Sequence, residues 1–254
     1  NLVRNIVLGP KNTAAIAGNV LVRNSRENLI TKLQEWDYFH GIAVIKRVQS
    51  LYQGTLVAQG AFSIYRTDAV RRLGGWPPKI GEDIVLTWGL RNHGYRIGYA
   101  ENAFCFTKVP ETYKQFFRQR KRWARGLIEA FKSYPSSLTL LKMSSPFIWY
   151  NLFFPLVDGA YLVFFLPGVI AAVFFHYYLI VGMMTVLLLP LAILANSLFF
   201  WHQSRIFKAN GLKVRRNLLG LIVYLFAYQA IMAPATMAGY MSEMMNLTKR
   251  WGTK

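Results

Sequence analysis

"GEDIVLTWGLRNHGYRIGYAENA", residues 81–103, sets a helix beside a strand. Glu82 and Asp83 open the run, Ile84, Val85, Leu86 and Trp88 supply its apolar body, and Gly94 closes the helical part. From Tyr95 to Val109 the pattern is that of extended chain. A helix returning into a strand is the repeating unit of an α/β layer fold. Upstream, "TAAIAGNVLVRN" (13–24) reads as a strand. In the next stretch Ser25 is the candidate N-cap, and Leu29, Ile30, Leu33, Trp36 and Phe39 recur at helical spacing. "LVAQGAFSIYR" (56–66) is strand-like but interrupted at Gly60, and "TDAVRRLGGW" (67–76) is a short helix closed by Gly74 and Gly75.

Downstream, "PETYKQFFRQRKRWARGLIEAFK" (110–132) predicts a helix with Pro110 at its first position. At 100° per residue it divides into three stripes. Phe116, Phe117, Trp123, Ala124, Leu127, Ile128 and Phe131 make an apolar arc, and Arg118, Lys121, Arg125 and Lys132 a basic one. Gln119, Arg122 and Gly126 form a narrow strip beside Trp123. A basic amphipathic helix ahead of apolar segments is expected in a membrane interface. That accounts for two stripes and leaves the third unexplained.

The 254 residues are 54% hydrophobic, and the apolarity is concentrated beyond Phe147. "SYPSSLTLLKMSSP" (133–146) marks the boundary. Three stretches are long enough to span a bilayer, about 147–175, 178–201 and 217–245, with only His176 and Tyr177 between the first two. The net charge of +19 is compatible with nucleic acid, anionic lipid or a diphosphate substrate. Its placement next to the apolar segments, without zinc spacing or an aromatic-rich RNA signature, favours the membrane and argues against nucleic acid. Both basic stretches, before the first span and between the second and third, are expected on the cytoplasmic side. Three crossings then leave the basic tail "TKRWGTK" outside, against the same bias. Asp158 is the acid inside an apolar span, either a functional group or a helix-break cap near the interface. Cys105, the single cysteine, permits no internal disulfide and reads as a small buried residue. Trp76, Trp88 and Trp251 read as packing or interface anchors, and His40 and His93 as structural or surface residues.

The Glu82-Asp83 pair admits two compatible readings. Acids in a first helical turn stabilise it by about 0.3–1 kcal/mol. A carboxylate at the edge of an α/β domain also suits a general base that deprotonates a sugar hydroxyl. A diphosphate leaving group calls for an arginine, and Arg122 beside Trp123 is the candidate.

"GED" (81–83) followed by "QRKRW" (119–123) resembles the paired motifs of processive, inverting family-2 glycosyltransferases, the membrane synthases of cellulose, chitin, hyaluronan and poly-N-acetylglucosamine. "AIAGNVLVRN", "GAFSIYRTDAVRRLGGW" and "VPETYKQFFRQRKRWARG" are similar to that family as well, so the resemblance covers essentially the whole chain. It implies the C-terminal part of a GT-A-like nucleotide-sugar transferase domain. Residues 1–109 would be its acceptor-side half, 110–146 the interface helix and linker, and 147–254 a region of about three transmembrane helices. It implies Asp83 as base with Glu82 in support, Gln119 and Arg122 on the donor diphosphate, and Trp123 against the acceptor sugar. Gly60, Ala61 and Phe62 would shape the acceptor pocket, and Arg66 either orients that wall or is a surface arginine. The family more often has Thr at the position of Gly81.

The family's D-x-D motif, which holds the nucleotide and a Mg2+ or Mn2+ ion, does not occur in this chain and is expected upstream of Asn1; the chain alone is expected to be inactive. A UDP-sugar, a growing β-linked glycan, the bilayer and an accessory export subunit are the implied partners. A bacterial inner membrane with the catalytic domain in the cytoplasm is the implied location. A single-transfer enzyme acting on lipid or peptide, and a non-catalytic membrane scaffold, are the competing readings.

Overall fold

The computed structural model describes residues 1–52, 54–213 and 216–248. Helix α1 (Leu2–Leu8) leads into β1 (Thr13–Val22), the central strand of a three-stranded sheet. β1 is buried over nearly its whole length. That is why "TAAIAGNVLV" is apolar on both faces, where a half-exposed strand would alternate. After it come α2 (Leu29–Asp37), a π-helical stretch Tyr38–Val44 and α3 (Ile45–Leu51). β2 (Ser63–Tyr65) pairs antiparallel with β1, followed by α4 (Thr67–Arg72) and α5 (Glu82–Asn92). β3 (Arg96–Thr107) returns parallel to β1 on its other edge. Gly94, at φ 83°, supplies the left-handed turn between α5 and β3.

α6 (Tyr113–Ser133) packs against α5, and a 3-10 turn Pro135–Leu138 ends the α/β part. The first apolar segment is divided into α7 (Ser145–Leu152), α8 (Phe154–Ala160), a π-helical stretch Tyr161–Phe165 and α9 (Leu166–Phe175). α10 (Met183–Ala209) and α11 (Leu218–Met244) follow. Three helical segments, 145–175, 183–209 and 218–244, are long and apolar enough to cross a membrane.

Several expectations are corrected. Helix α2 is capped by Asn28 in a reciprocal box with Thr31, three residues after Ser25. α6 starts at Tyr113 under a Thr112–Gln115 capping box, and the Pro110 carbonyl instead accepts from Gln34 Nε2 at 2.7 Å. Only Ser63–Tyr65 of the 56–66 run is strand. The link between the first two apolar segments extends over 176–182, longer than two residues, and α10 absorbs the first half of the basic linker. Cys105 is half-buried. Trp88 is fully buried against Phe131, Trp76 is half-exposed beside Tyr65, and Trp251 with most of the tail lies outside the described residues.

Candidate active site

The site lies where α5 begins. The Gly60 amide donates to Asp83 Oδ2 at 3.1 Å, and the Ile84 amide to Asp83 Oδ1 at 2.8 Å. Thr87 fastens the same turn to the loop ahead of β2. Its hydroxyl donates to the Asp83 carbonyl at 2.7 Å and accepts from the Ala58 amide at 3.0 Å. Tyr65 bonds the Ala58 carbonyl and Lys46 Nζ donates to the Val57 carbonyl at 2.8 Å. The strap 57–60 is thus held from three elements, and its Gly60 amide in turn holds the Asp83 carboxylate. Gly60 and Ala61 are exposed beside the carboxylate, while Phe62 turns inward over Gly18, whose amide donates to the Phe62 carbonyl.

The start of α5 rests directly on α6. The Gly81 amide donates to Glu129 Oε2 at 2.9 Å, and a Cβ on Gly126 would lie 2.8 Å from Gly81 Cα. Backbone meets backbone here, so the glycine that departs from the family's usual Thr sits against a second glycine. This contact sets the distance between the Asp83 turn and the strip on α6. Arg122 is within electrostatic reach of Glu82 and opposes its upward pKa shift. That shift comes first from burial and then from the neighbouring Asp83 charge. Glu82 Oε2 and Gln119 Oε1 are both buried without a hydrogen-bond partner among the described residues. Gln119 stands beside Tyr38, whose phenol is shifted up by burial against the pull of Arg120. The Trp123 ring is 40% exposed and has the Arg120 guanidinium 4.1 Å from its centroid.

Arg122 on α6 is thus near Glu82 at the start of α5, and Gly60 is bonded to Asp83, while Gln119 and Trp123 stand on the same helix beside Tyr38 and Arg120. Arg66 does not join them: its Nε donates to the Thr13 carbonyl at 2.8 Å and Nη2 to the Ile6 carbonyl at 3.2 Å, tying α1 to β1. His40 meets Asn196 at 3.2 Å and His93 its own helix at Gly89, both structural roles. The basic arc of α6 is not uniformly turned to a membrane surface. Arg125 is buried and pairs with Glu243 at 3.1 Å, and Lys132 donates to the Glu243 carbonyl at 2.6 Å. Asp158 caps nothing. It is buried and accepts from Gln229 and Thr236 on α11, each at 2.6 Å.

Two features had no signal in the sequence. Arg120, 2% exposed, pairs with Asp37 at 2.5 Å, and Asp37 also accepts from Tyr228 on α11. Partners separated by 83 and 191 positions cannot be inferred from local spacing. Lys46 is a buried amine pulled down to about 7 by desolvation, against the field of Asp83. Nothing in "AVIKRVQ" distinguishes it from Arg47. No group of three or more His, Cys, Asp or Glu side chains comes together among the described residues. No such cluster marks a divalent-cation site among the described residues.

The model of glycosyl transferase family group 2 matches residues 2–241. Poly-beta-1,6-N-acetyl-D-glucosamine synthase of Staphylococcus aureus (strain COL) is 36% identical over 126 residues, which are 49% of this chain and 30% of that protein. The enzyme of the same name from Staphylococcus epidermidis is 36% identical over 113 residues, 44% of this chain and 27% of that one. The chain thus matches under a third of the length of these relatives. A mannosyltransferase from Pyrobaculum calidifontis, solved with GDP-Man and Mn2+, superposes with a TM-score of 0.48 at 15% identity, over 96% of this chain and 58% of its own. The match over residues 2–241 is decisive: the chain belongs to glycosyl transferase family group 2.

Proposed function

We propose that the protein is a membrane polysaccharide synthase. It transfers N-acetylglucosamine from its UDP derivative to the end of a growing β-linked glycan, with inversion, and passes the product across the membrane. The observation that supports this reading is the Gly81–Gly126 contact, which seats the first turn of α5, with Glu82 and Asp83, on α6, where Arg122 acts on Glu82. Asp83, held by the Gly60 amide, takes the proton of the acceptor hydroxyl as its oxygen attacks the anomeric carbon of the donor. The bond to the diphosphate breaks on the opposite side, and Arg122 with Gln119 meets the charge that develops on it. Trp123 offers its exposed ring to the acceptor sugar. The names of the two staphylococcal relatives support the sugar.

A divalent cation, Mg2+ or Mn2+, would accompany the donor with ligands outside this chain. The chain alone would lack the donor half of the site. The parent protein would sit in a bacterial inner membrane with this domain cytoplasmic, together with an accessory export subunit. The test is the full-length parent in membrane vesicles, supplied with magnesium or manganese and a panel of UDP-sugars. Acid-insoluble polymer from UDP-N-acetylglucosamine supports the reading. UDP release without polymer indicates single transfer, and no release with any donor favours a scaffold.

A further inference from the structure

The third long apolar helix is held by the catalytic domain at both ends and in its middle. At its start, Asn217 Nδ2 donates to the Lys32 carbonyl at 2.8 Å and to Glu35 at 2.6 Å, and Trp36 Nε1 donates to the Asn217 carbonyl at 2.8 Å. Near the middle, the Tyr228 hydroxyl donates to Asp37, the partner of Arg120 on α6. Farther along, Tyr113 at the head of α6 reaches the Ile231 carbonyl at 3.4 Å, and Gly239 packs against the Lys121 carbonyl and Ala124. At the end, Glu243 pairs with Arg125, and the Leu247 carbonyl accepts from Arg125 Nη2 at 2.6 Å. α11 therefore runs alongside α6 over its whole second half and across α2 over its first.

A helix of 27 residues is about 40 Å long, more than the roughly 30 Å of a bilayer's hydrocarbon core. A helix crossing that core leaves its two ends on opposite sides. Here both ends meet polar groups that reach water on one domain: Glu35 with Arg26 at the start, each about one third exposed, and the 43% exposed Lys132 at the end. The outward face of the first half is apolar: Leu218, Leu219, Ile222 and Phe226 are 49–65% exposed. α8 rests on α11 through Asp158, and the last turns of α10 rest on Trp36 and Phe39. Both remaining apolar segments thus join the domain on the face that α11 covers.

We infer that α11 does not cross the membrane but lies along the domain as a seat, its Leu218–Phe226 face turned to the lipid surface. The described residues then cross twice, through 145–175 and 183–209, and Thr248 emerges on the side of the catalytic domain. The conflict between three crossings and a basic tail does not arise.

Sidedness tests this without reference to the donor sugar, so its failure is distinct from failure of the synthase reading. Single cysteines replace Tyr177, Asn210 and Thr248 in the full-length parent, with Cys105 and any other cysteine removed. Right-side-out and inverted vesicles are treated with a membrane-impermeant maleimide. Thr248→Cys is expected to label from the same face as Asn210→Cys, and Tyr177→Cys from the other. Labelling of Thr248→Cys from the Tyr177 face, or from neither face, overturns the inference.

Discussion

Arg120 and Arg122 stand two residues apart on α6 and meet different surroundings. Arg120 is buried, paired with Asp37 and stacked on Trp123 and Phe116, with Asp37 linked on to α11. Arg122 is half-buried, makes no ion pair among the described residues, and projects its charge toward Glu82. Arg125 repeats the first pattern with Glu243. The helix thus uses some arginines to bolt the domain together and leaves another turned to the site. Charge alone does not separate them; the presence of a carboxylate partner does. A buried guanidinium stripped of its partner costs several kcal/mol, whereas one facing a cleft is available to an incoming anion.

That contrast can be broken by substitution. Removing Asp37 by Asp37→Ala strands Arg120, and a loss of about 3–5 kcal/mol in stability is expected, read as a large fall in Tm of the purified parent. Arg122→Ala should leave stability within about 0.5 kcal/mol of wild type while lowering transfer by about 10²–10³-fold. Equal stability losses in the two variants would erase the distinction. Gly126→Ala tests how the strip is held at its working distance. Its Cβ must push Gly81 away, at about 1–3 kcal/mol, and transfer should fall although no catalytic group changes.

The smallest effect concerns Lys46. Burial holds its amine near 7, whereas an unfolded lysine titrates near 10.4, so the unfolded chain binds more protons between those values. Wild-type stability therefore gains with rising pH across that window. The Tm of Lys46→Met minus that of wild type should be most positive near pH 7 and shrink toward pH 10. A difference that does not vary with pH would show that the amine is not held neutral.

Much of this was legible in the residues. The alternation of helix and strand, the glycine at 94, the three apolar segments and the Glu82-Asp83 and Gln119–Trp123 pieces are local patterns, each set by spacing or turn chemistry. Their convergence was legible only by resemblance, because it depends on a backbone contact between Gly81 and Gly126, two small residues without distinguishing chemistry. Helical periodicity placed Arg125 on the basic arc of an interface helix because it cannot see Glu243, 118 positions away. Hydropathy likewise scored α10 and α11 alike, although their environments differ. Much of α10 is exposed, whereas Gln229, Thr236, Tyr240 and Glu243 of α11 are engaged by the rest of the protein. Boundaries moved where a capping box outcompeted a single residue, as Asn28–Thr31 did over Ser25.

The central claim is that Asp83 is the base of sugar transfer as well as the start of a helix. The direct measurement is polymer formation by full-length Asp83→Asn beside wild type, with Tm of both recorded. Asparagine keeps an acceptor for the Gly60 amide and the first-turn geometry, so stability should stay within about 1 kcal/mol of wild type. Without a proton acceptor, transfer should fall by about 10²–10⁴-fold. A folded variant that makes polymer at the wild-type rate would contradict the account.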